Sequence, residues 1–516
     1  MASDPFLDTT TVTSPGWWLD RLSRRLDARV SGMTKYADYY AGRHPLMFAT
    51  QKFREAFGDL FREVAVNFCE VVVDKLVERL EVQGFRLDSG EEANGQAWDY
   101  WQRNRLDSDF AKGIREGFIK GEFAMTVWGE DGVPRITVED PLLVIVAVDP
   151  SDTSKRRAAL KRWYDGDLGQ VFGTLYLPDA IYKFQSQTGV ADPVISPTLG
   201  NVPMLYAFNA VGGIHWERRM VDGEPWPLPN ALRAVPVVPF PNKPDLADIG
   251  VSELKNVIPI QDSINKLMSD LLIGSEFGAF RQRYAVNVNL EVNPDTGRPI
   301  EPWRIAVDRL LTAPPPADPA QPEVKFGEFS QTDLGGYIGA IEMALKDLAV
   351  ITRMPPHYLL GNTGVWPSGE SLRSAETGLV RKAQDRMRDL SEPLEEVIRL
   401  AFQAAGRGDM EDVQIETLWA NPETQTESAH VDALVKMQSL GVPEEAIWEE
   451  IPASPTKIAH WKALRDIAEK EAAAKAPPPT QLVVMRNDRG MTIGNEPTPN
   501  DRTTAADDVN ARATGS

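Results

Sequence analysis

The chain reads as an α+β protein, on three observations. Apolar residues recur at helical spacing through the first 120 positions and again after residue 250. Between Phe123 and Lys243 the pattern changes to short β-prone runs divided by turn residues. From Ser368 to Gly406 runs the longest uninterrupted helical pattern of all, with Leu372, Ala375, Leu379, Ala383, Met387, Leu390, Leu394, Val397, Phe402 and Ala405 along one face.

Taken in order, residues 1 to 15 are polar, and Trp17 to Val30 predicts an amphipathic helix with Trp18, Leu22, Leu26 and Val30 on one side. Tyr36, Tyr39 and Tyr40, followed by Gly42 and Pro45, predict a helix end and a turn. A second helix is expected from Leu60 to Leu80, and further segments over Trp98 to Leu106 and Phe110 to Lys120. FAMTVW and VPRITV, divided by Glu130, Asp131 and Gly132, predict a hairpin, and LLVIVAVD, ALKRWYD, QVFGTLYL and AIYKFQ a meander. Pro236, Pro239 and Pro241 forbid a central strand and favour an edge.

Helical character resumes at Ser252, with Ile264, Leu267 and Leu271 followed on the same face by Gly274 and Gly278. Asp333 to Met354 forms a second helix whose Gly335, Gly336 and Gly339 lie at its start, so antiparallel pairing brings two glycine-rich ends together. The interval Tyr284 to Gln331 holds eight prolines and the strand candidates YAVNVNL, RIAVD and EVKF, a small β module at the tip of a helical hairpin. Pro355 to Pro367 reads as a Gly/Pro-rich loop. In the long helix that follows, Ser368 can cap the start and Gly406 the end. Pro393 sits inside it, where it removes one backbone hydrogen bond at about 3 kcal/mol in a straight helix, so a kink is expected near Leu390. QIETLWANP predicts a strand, residues 424–475 a compact helical group, and residues 476–516 a disordered tail.

Composition narrows the function. With 42% hydrophobic and 25% charged residues the bulk is an ordinary globular mixture. A formal charge of −20 argues against a protein that grips nucleic acid by its phosphates, while allowing one that lets DNA pass. No apolar run reaches membrane-spanning length and no signal peptide is visible. The single cysteine, Cys69, lies in an apolar run and reads as a small buried hydrophobe. His44, His215, His357, His430 and His460 never approach metal-ligand spacing, and Gly361, Asn362, Thr363 and Gly364 lack the lysine of a phosphate-binding loop. With G-x-S-x-G absent as well, neither enzymatic activity nor any cofactor is expected.

YADYYAGRHPL, NFCEVVVDKLVERLEVQGF, AWDYWQRNRLDSDF, VPVVPFPNKP with GVSELKNVIPIQDSINKLMSDLL, and PSGESLR occur in an order that resembles the portal proteins of tailed bacteriophages, in particular those of long-tailed phages of Gram-positive and actinobacterial hosts. The resemblance spans residues 30 to 470. It implies a portal-protein fold: N-terminal helices and an α+β wing over 1–250, stem helices over 251–283 and 332–354, and a small β clip over 284–331. It further implies a tunnel loop over 355–367, a kinked spine helix with its return to the wing over 368–423, and a short helical crown over 424–475.

By the same resemblance the chain forms a homo-oligomeric ring of about twelve subunits at the unique capsid vertex, assembled in the host bacterial cytoplasm. Double-stranded DNA passes non-specifically through the ring during packaging and ejection. The implied partners are the terminase large subunit, head-completion or adaptor proteins, the major capsid protein and scaffolding protein. Residues of the tunnel loop expected to meet DNA are His357, Tyr358, Asn362, Thr363 and Trp366. Lys266, Lys346 and Arg353 on the stem face either the channel, solvent or inter-subunit salt bridges. A non-portal structural or adaptor protein of the virion is the competing reading, and a hydrolase using buried carboxylates a third.

Overall fold

The structure, a computed structural model, describes residues 5–45, 66–88, 91–130, 132–186, 214–279, 283–287, 294–296, 322–323, 325–328, 333–360, 369–410, 412–423, 427–443, 447–448, 451, 455–475, 484–487 and 490–493. The chain divides into a large unit, Met1–Pro455, and a smaller one, Thr456–Ser516.

In the large unit α1 spans Pro15–Tyr40, opened by Ser14, whose hydroxyl accepts the Trp17 N–H at 3.1 Å, and by Pro15 in the first turn. The sequence pattern ends this helix at Val30; it runs ten residues further because Met33, Thr34 and Tyr39 continue the buried stripe. Next come α2 (Phe68–Val77), β1 (Val82–Leu87), α3 (Glu91–Arg103) and α4 (Leu106–Lys120). The described part of the helix expected from Leu60 to Leu80 is thus ten residues long.

Strands β2 (Glu122–Glu130) and β3 (Val133–Glu139) pair as an antiparallel hairpin. They are followed by β4 (Val144–Asp149), β5 (Asp152–Asp165), β6 (Gln170–Tyr176), β7 (Ala180–Ser186), β8 (Trp216–Arg218), β9 (Leu228–Pro229) and β10 (Val237–Pro241). β10 takes the outer place in a three-stranded sheet ordered β10-β2-β3, where its prolines need no second partner. The β4 to β9 strands form a six-stranded antiparallel sheet. One face of it is covered by the first half of α1, with Trp18, Leu19, Leu22 and Leu26 against Ile145, Leu160, Leu175 and Phe184.

Helix α5 (Ile258–Ala279) begins six residues after Ser252: the Ser252 hydroxyl caps a turn instead, and Pro259 occupies the first helical turn. β11 (Arg283–Val286) and β12 (Lys325–Glu328) pair antiparallel, and α6 (Gly335–Thr352) returns along α5 with Leu334 against Gly274. RIAVD lies outside the described residues. α7 (His357–Leu360) and α8 (Gly369–Ala404) follow, and then β13 (Ile415–Trp419) and α9 (Glu427–Ser439).

The 36-residue α8 runs through Pro393 without interruption. Leu379, Ala383, Met387, Leu390, Leu394, Val397 and Phe402 are buried along it, whereas Ala375, in its first turns, is exposed. Each large apolar side chain so buried stabilises by roughly 1.5–3 kcal/mol. The helix ends on Gly406 at φ +79°, with the Arg407 N–H bonded to Phe402 O at 2.9 Å and the Gly406 N–H to Gln403 O at 2.9 Å, the paired bonds of a Schellman cap. α8 is the axis of the larger core, which gathers α2, α3, α4, β1, β2, β10 and β13 around it. Antiparallel pairing of β13 with β1 ties Ile415 back to Leu87 and closes that core.

In the smaller unit α10 (Pro455–Lys475) is followed by β14 (Val484–Asn487), which pairs antiparallel with β15 (Gly490–Ile493). This hairpin corrects the expectation of a wholly disordered tail. Its apolar run, LVVM, is β-prone, although the composition of the surrounding segment is that of an unstructured chain.

Candidate functional site

A buried cluster of charged side chains lies where α8 meets the end of α6 and the segment between β10 and α5. Glu253 lies at the centre, its side chain 1% exposed. One carboxylate oxygen accepts from Lys382 at 2.9 Å and Lys243 at 2.7 Å; the other accepts from Arg386 Nε at 3.0 Å. Lys382 also donates to Thr352 O at the C-terminus of α6, and Arg386 reaches Asp389 at 3.1 Å. One buried anion therefore holds two turns of the long helix and, through Lys382, the root of α6.

Burial alone would push the Glu253 carboxyl up, but Lys382, Lys243 and Arg386 outweigh it and hold it at about 2. Three cations share the one anion, and burial lowers the Lys382 ammonium from its ordinary value despite the Glu253 charge.

Ahead of α8 the expected loop is partly helical. Pro355 and Pro356 set up α7, so His357 and Tyr358 belong to a short helix. Tyr358 is fastened within the chain: its hydroxyl accepts from Arg79 at 3.0 Å and donates to Glu376 at 2.8 Å, and the Lys75 ammonium lies 5.7 Å from its ring centre. Burial, then the Glu376 carboxylate, raise the Tyr358 phenol from its ordinary value. The His357 ring packs edge-on against Tyr358 at 4.5 Å. Asn362, Thr363 and Trp366, like Ser368, lie outside the described residues.

The three cations read from the stem helices each stand beside a carboxylate. Lys266 pairs with Asp270 on the same helix, Lys346 with Glu342 at 4.0 Å, and Arg353 with Asp385 of α8 at 3.7 Å. Arg353 also ends α6 in the left-handed conformation, φ 58°. They are spread along the helix pair and do not form one cluster with Pro393. Next to that proline, the Ser391 hydroxyl donates to Met387 O at 2.8 Å and accepts from the Trp419 indole at 2.8 Å, which links α8 to β13 where the helix lacks a backbone donor.

At the start of α5 a second polar network is buried. The Tyr39 hydroxyl donates to Asp262 at 2.7 Å. His44 donates from Nε2 to Tyr39 O and accepts at Nδ1 from the Asn265 amide, both at 2.9 Å, which fixes the neutral tautomer; burial lowers its pKa. Burial pushes the neighbouring Cys69 thiol up to about 12, which makes it inert.

Sequence reasoning missed Glu253, Lys382, Arg386, Arg79 and Glu376. The signal available for two of them was position: Lys382 and Arg386 adjoin Ala383 and Met387 on the apolar stripe, where an unpaired charge would be costly.

Comparison with known proteins gives the family. Portal proteins of Mycobacterium phage D29 and Mycobacterium phage L5 are each 27% identical, over 428 residues (79% of both chains) and 405 residues (74% of both). A chain of the solved neck of an empty GTA particle aligns over 78% of this chain and 92% of its own, with 10% identity and a TM-score of 0.41, a likeness too distant to bear on fold or assembly. The profile of the family described as "Phage portal protein, SPP1 Gp6-like" matches residues 19–475, from α1 to the end of α10. The chain belongs to the SPP1 Gp6-like family of phage portal proteins.

Proposed function

We propose that this portal protein works as a ring of about twelve copies at one capsid vertex, a conduit through which double-stranded DNA is packaged and ejected. The observation that carries the reading is the family match through every helix from α1 to α10. In this reading α5 and α6 are the stem, and the interval between them, with β11 and β12, is the clip that docks the terminase large subunit and then head-completion proteins. The segment between α6 and α8 is the tunnel loop, α8 the spine, the sheets with α1 to α4 the wing, and residues 424–475 the crown. Major capsid and scaffolding proteins surround the ring during assembly in the host cytoplasm.

Two physical features support it. The side of α6 turned away from its buried Leu345 and Leu348 carries Met343, Val350 and Ile351, each at least half exposed, an apolar group that a single copy leaves bare and a neighbour in a ring would cover. The cations of the stem stand beside Asp270, Glu342 and Asp385, which blunts their pull on phosphates and suits a channel that lets a polyanion slide. The role is mechanical and non-catalytic. DNA contact is assigned to Asn362, Thr363 and Trp366, with His357 and Tyr358 at the root of the loop. Gold-labelling an epitope fused to the chain in assembled particles tests the placement: one labelled vertex per capsid is expected, and label on several vertices would contradict it.

A further inference from the structure

The segment between β10 and α5 holds two apolar side chains out in solvent on a stiff support. Leu246 is 104% exposed and Ile249 61%. One Asp245 carboxylate oxygen accepts from the N–H groups of Ala247 at 2.9 Å and Ile249 at 3.0 Å, and the Asp248 N–H closes onto Asp245 O at 2.9 Å. The base is clamped as well: Asn242 N–H donates to Gly121 O at 2.9 Å, and Gly250 approaches so closely that a Cβ there would lie 2.0 Å from the same oxygen. A preorganised loop loses little entropy when it docks. Isolated exposed leucines are ordinary, but a pair displayed on a fastened loop beside Asp248, whose carboxylate has no ion-pair partner among the described residues, forms a compact acidic and apolar knob.

The complementary surface runs along α4 from its first residues. A hollow of about 600 Å³ there is lined by Trp128, which is 38% exposed, Ile136 and Arg105. Its acids are committed to cations of the same chain: Glu116 and Asp140 to Lys120, each at 2.8 Å, Glu139 to Lys161 at 2.8 Å, and Asp109 to Lys112 at 2.7 Å, with a weaker pull from Arg105. Arg105 is exposed and has no side-chain hydrogen bond or ion pair among the described residues. Arg105 stands immediately before α4 and Gly121, the support of the knob, immediately after it, so these two residues are roughly 24 Å apart at about 1.5 Å per residue. A knob and a hole at separate places on one molecule can join copies head to tail, a heterologous contact that gives a ring where its rotation closes.

We propose that the Asp245–Gly250 loop of one subunit enters the hollow around Trp128 and Arg105 of the next, with Leu246 against the indole and Asp248 facing the guanidinium. This rests on the ring reading above and names the surfaces that would build it. The test compares ring assembly of the full-length chain by mass photometry over a concentration series. Leu246→Asp raises the concentration needed for rings at least tenfold, as do Asp248→Arg and Arg105→Asp singly. The double exchange Asp248→Arg with Arg105→Asp returns it to within about threefold of wild type, which a merely structural role would not do. Both positions have left-handed backbone, φ 55° and 58°, and the chain already holds an arginine in that conformation at Arg353. Thermal unfolding of each monomer stays unchanged, since these side chains are exposed. Rings of Leu246→Asp at the wild-type concentration, or no recovery in the exchange variant, would overturn the contact while leaving the ring reading intact. A wild-type chain that never forms rings overturns that reading itself.

Discussion

Replacing Glu253 by glutamine removes the one anion shared by Lys382, Arg386 and Lys243 while keeping its shape. Two independent routes give the size of the effect. The carboxyl is held at about 2 against an ordinary value of 4.5, and at about 1.4 kcal/mol per unit that difference stabilises the fold by roughly 3 kcal/mol at neutral pH. Taking one partner from a buried ion pair costs about 3–5 kcal/mol, because the remaining charges stay desolvated. Lys382 and Arg386, with side chains 7% and 9% exposed, are in that position. Urea unfolding at pH 7 followed by far-UV circular dichroism is expected to show a loss of about 3 kcal/mol, with hydrogen exchange quickening first in α8 around residues 382–390. The pH dependence has a definite sign. Glu253 has its folded value below its unfolded one, so its contribution is full above about 4.5 and drains as pH falls toward 2. Over that window the wild type therefore loses more stability than Glu253→Gln. Replacing Glu253 and Lys382 together by Leu and Met recovers much of the loss, since fewer unpaired charges stay buried. A loss under about 1 kcal/mol, or parallel acid profiles for wild type and variant, would refute the reasoning.

Pro393→Ala restores a backbone donor to α8, so the monomer is expected to unfold no earlier than wild type while ring yield or DNA packaging falls; normal packaging would remove the proline from the account. Tyr358→Phe deletes a hydroxyl shared between Arg79 and Glu376 and is expected to cost about 1.5–3 kcal/mol in urea unfolding, as for hydrogen bonds to charged groups; no change would show that the clasp carries no energy. Asp270→Asn strips Lys266 of its carboxylate, and rings carrying a bare lysine on every stem are expected to retain DNA more strongly at low salt in a filter-retention assay; unchanged retention would place Lys266 away from the channel.

Local pattern made much of this fold readable in advance. The stripe from Leu379 to Phe402 is buried, the β2–β3 hairpin turns at Gly132 with φ +76°, and the prolines of β10 keep it at a sheet edge. These features depend on residues a few positions apart. What stayed hidden depends on residues far apart. β1 carries no strong strand signal, and its partner β13 lies more than 300 positions away. Glu253 sits in an unremarkable SELK, and its meaning comes from Lys382 and Arg386, which only the tertiary fold brings within 3.0 Å. Tyr358 looked like a loop aromatic because its partners, Arg79 and Glu376, come from two other helical regions. The elements were legible where the period was local, and the fastenings between them were not.

The proposed function requires a closed ring with an axial passage. Negative-stain electron microscopy of the purified full-length chain, across concentrations and with capsid partners added, addresses it most directly. End-on views are predicted to show closed rings of about twelve lobes around a central hole. A compact monomer at every concentration, with and without those partners, would contradict it.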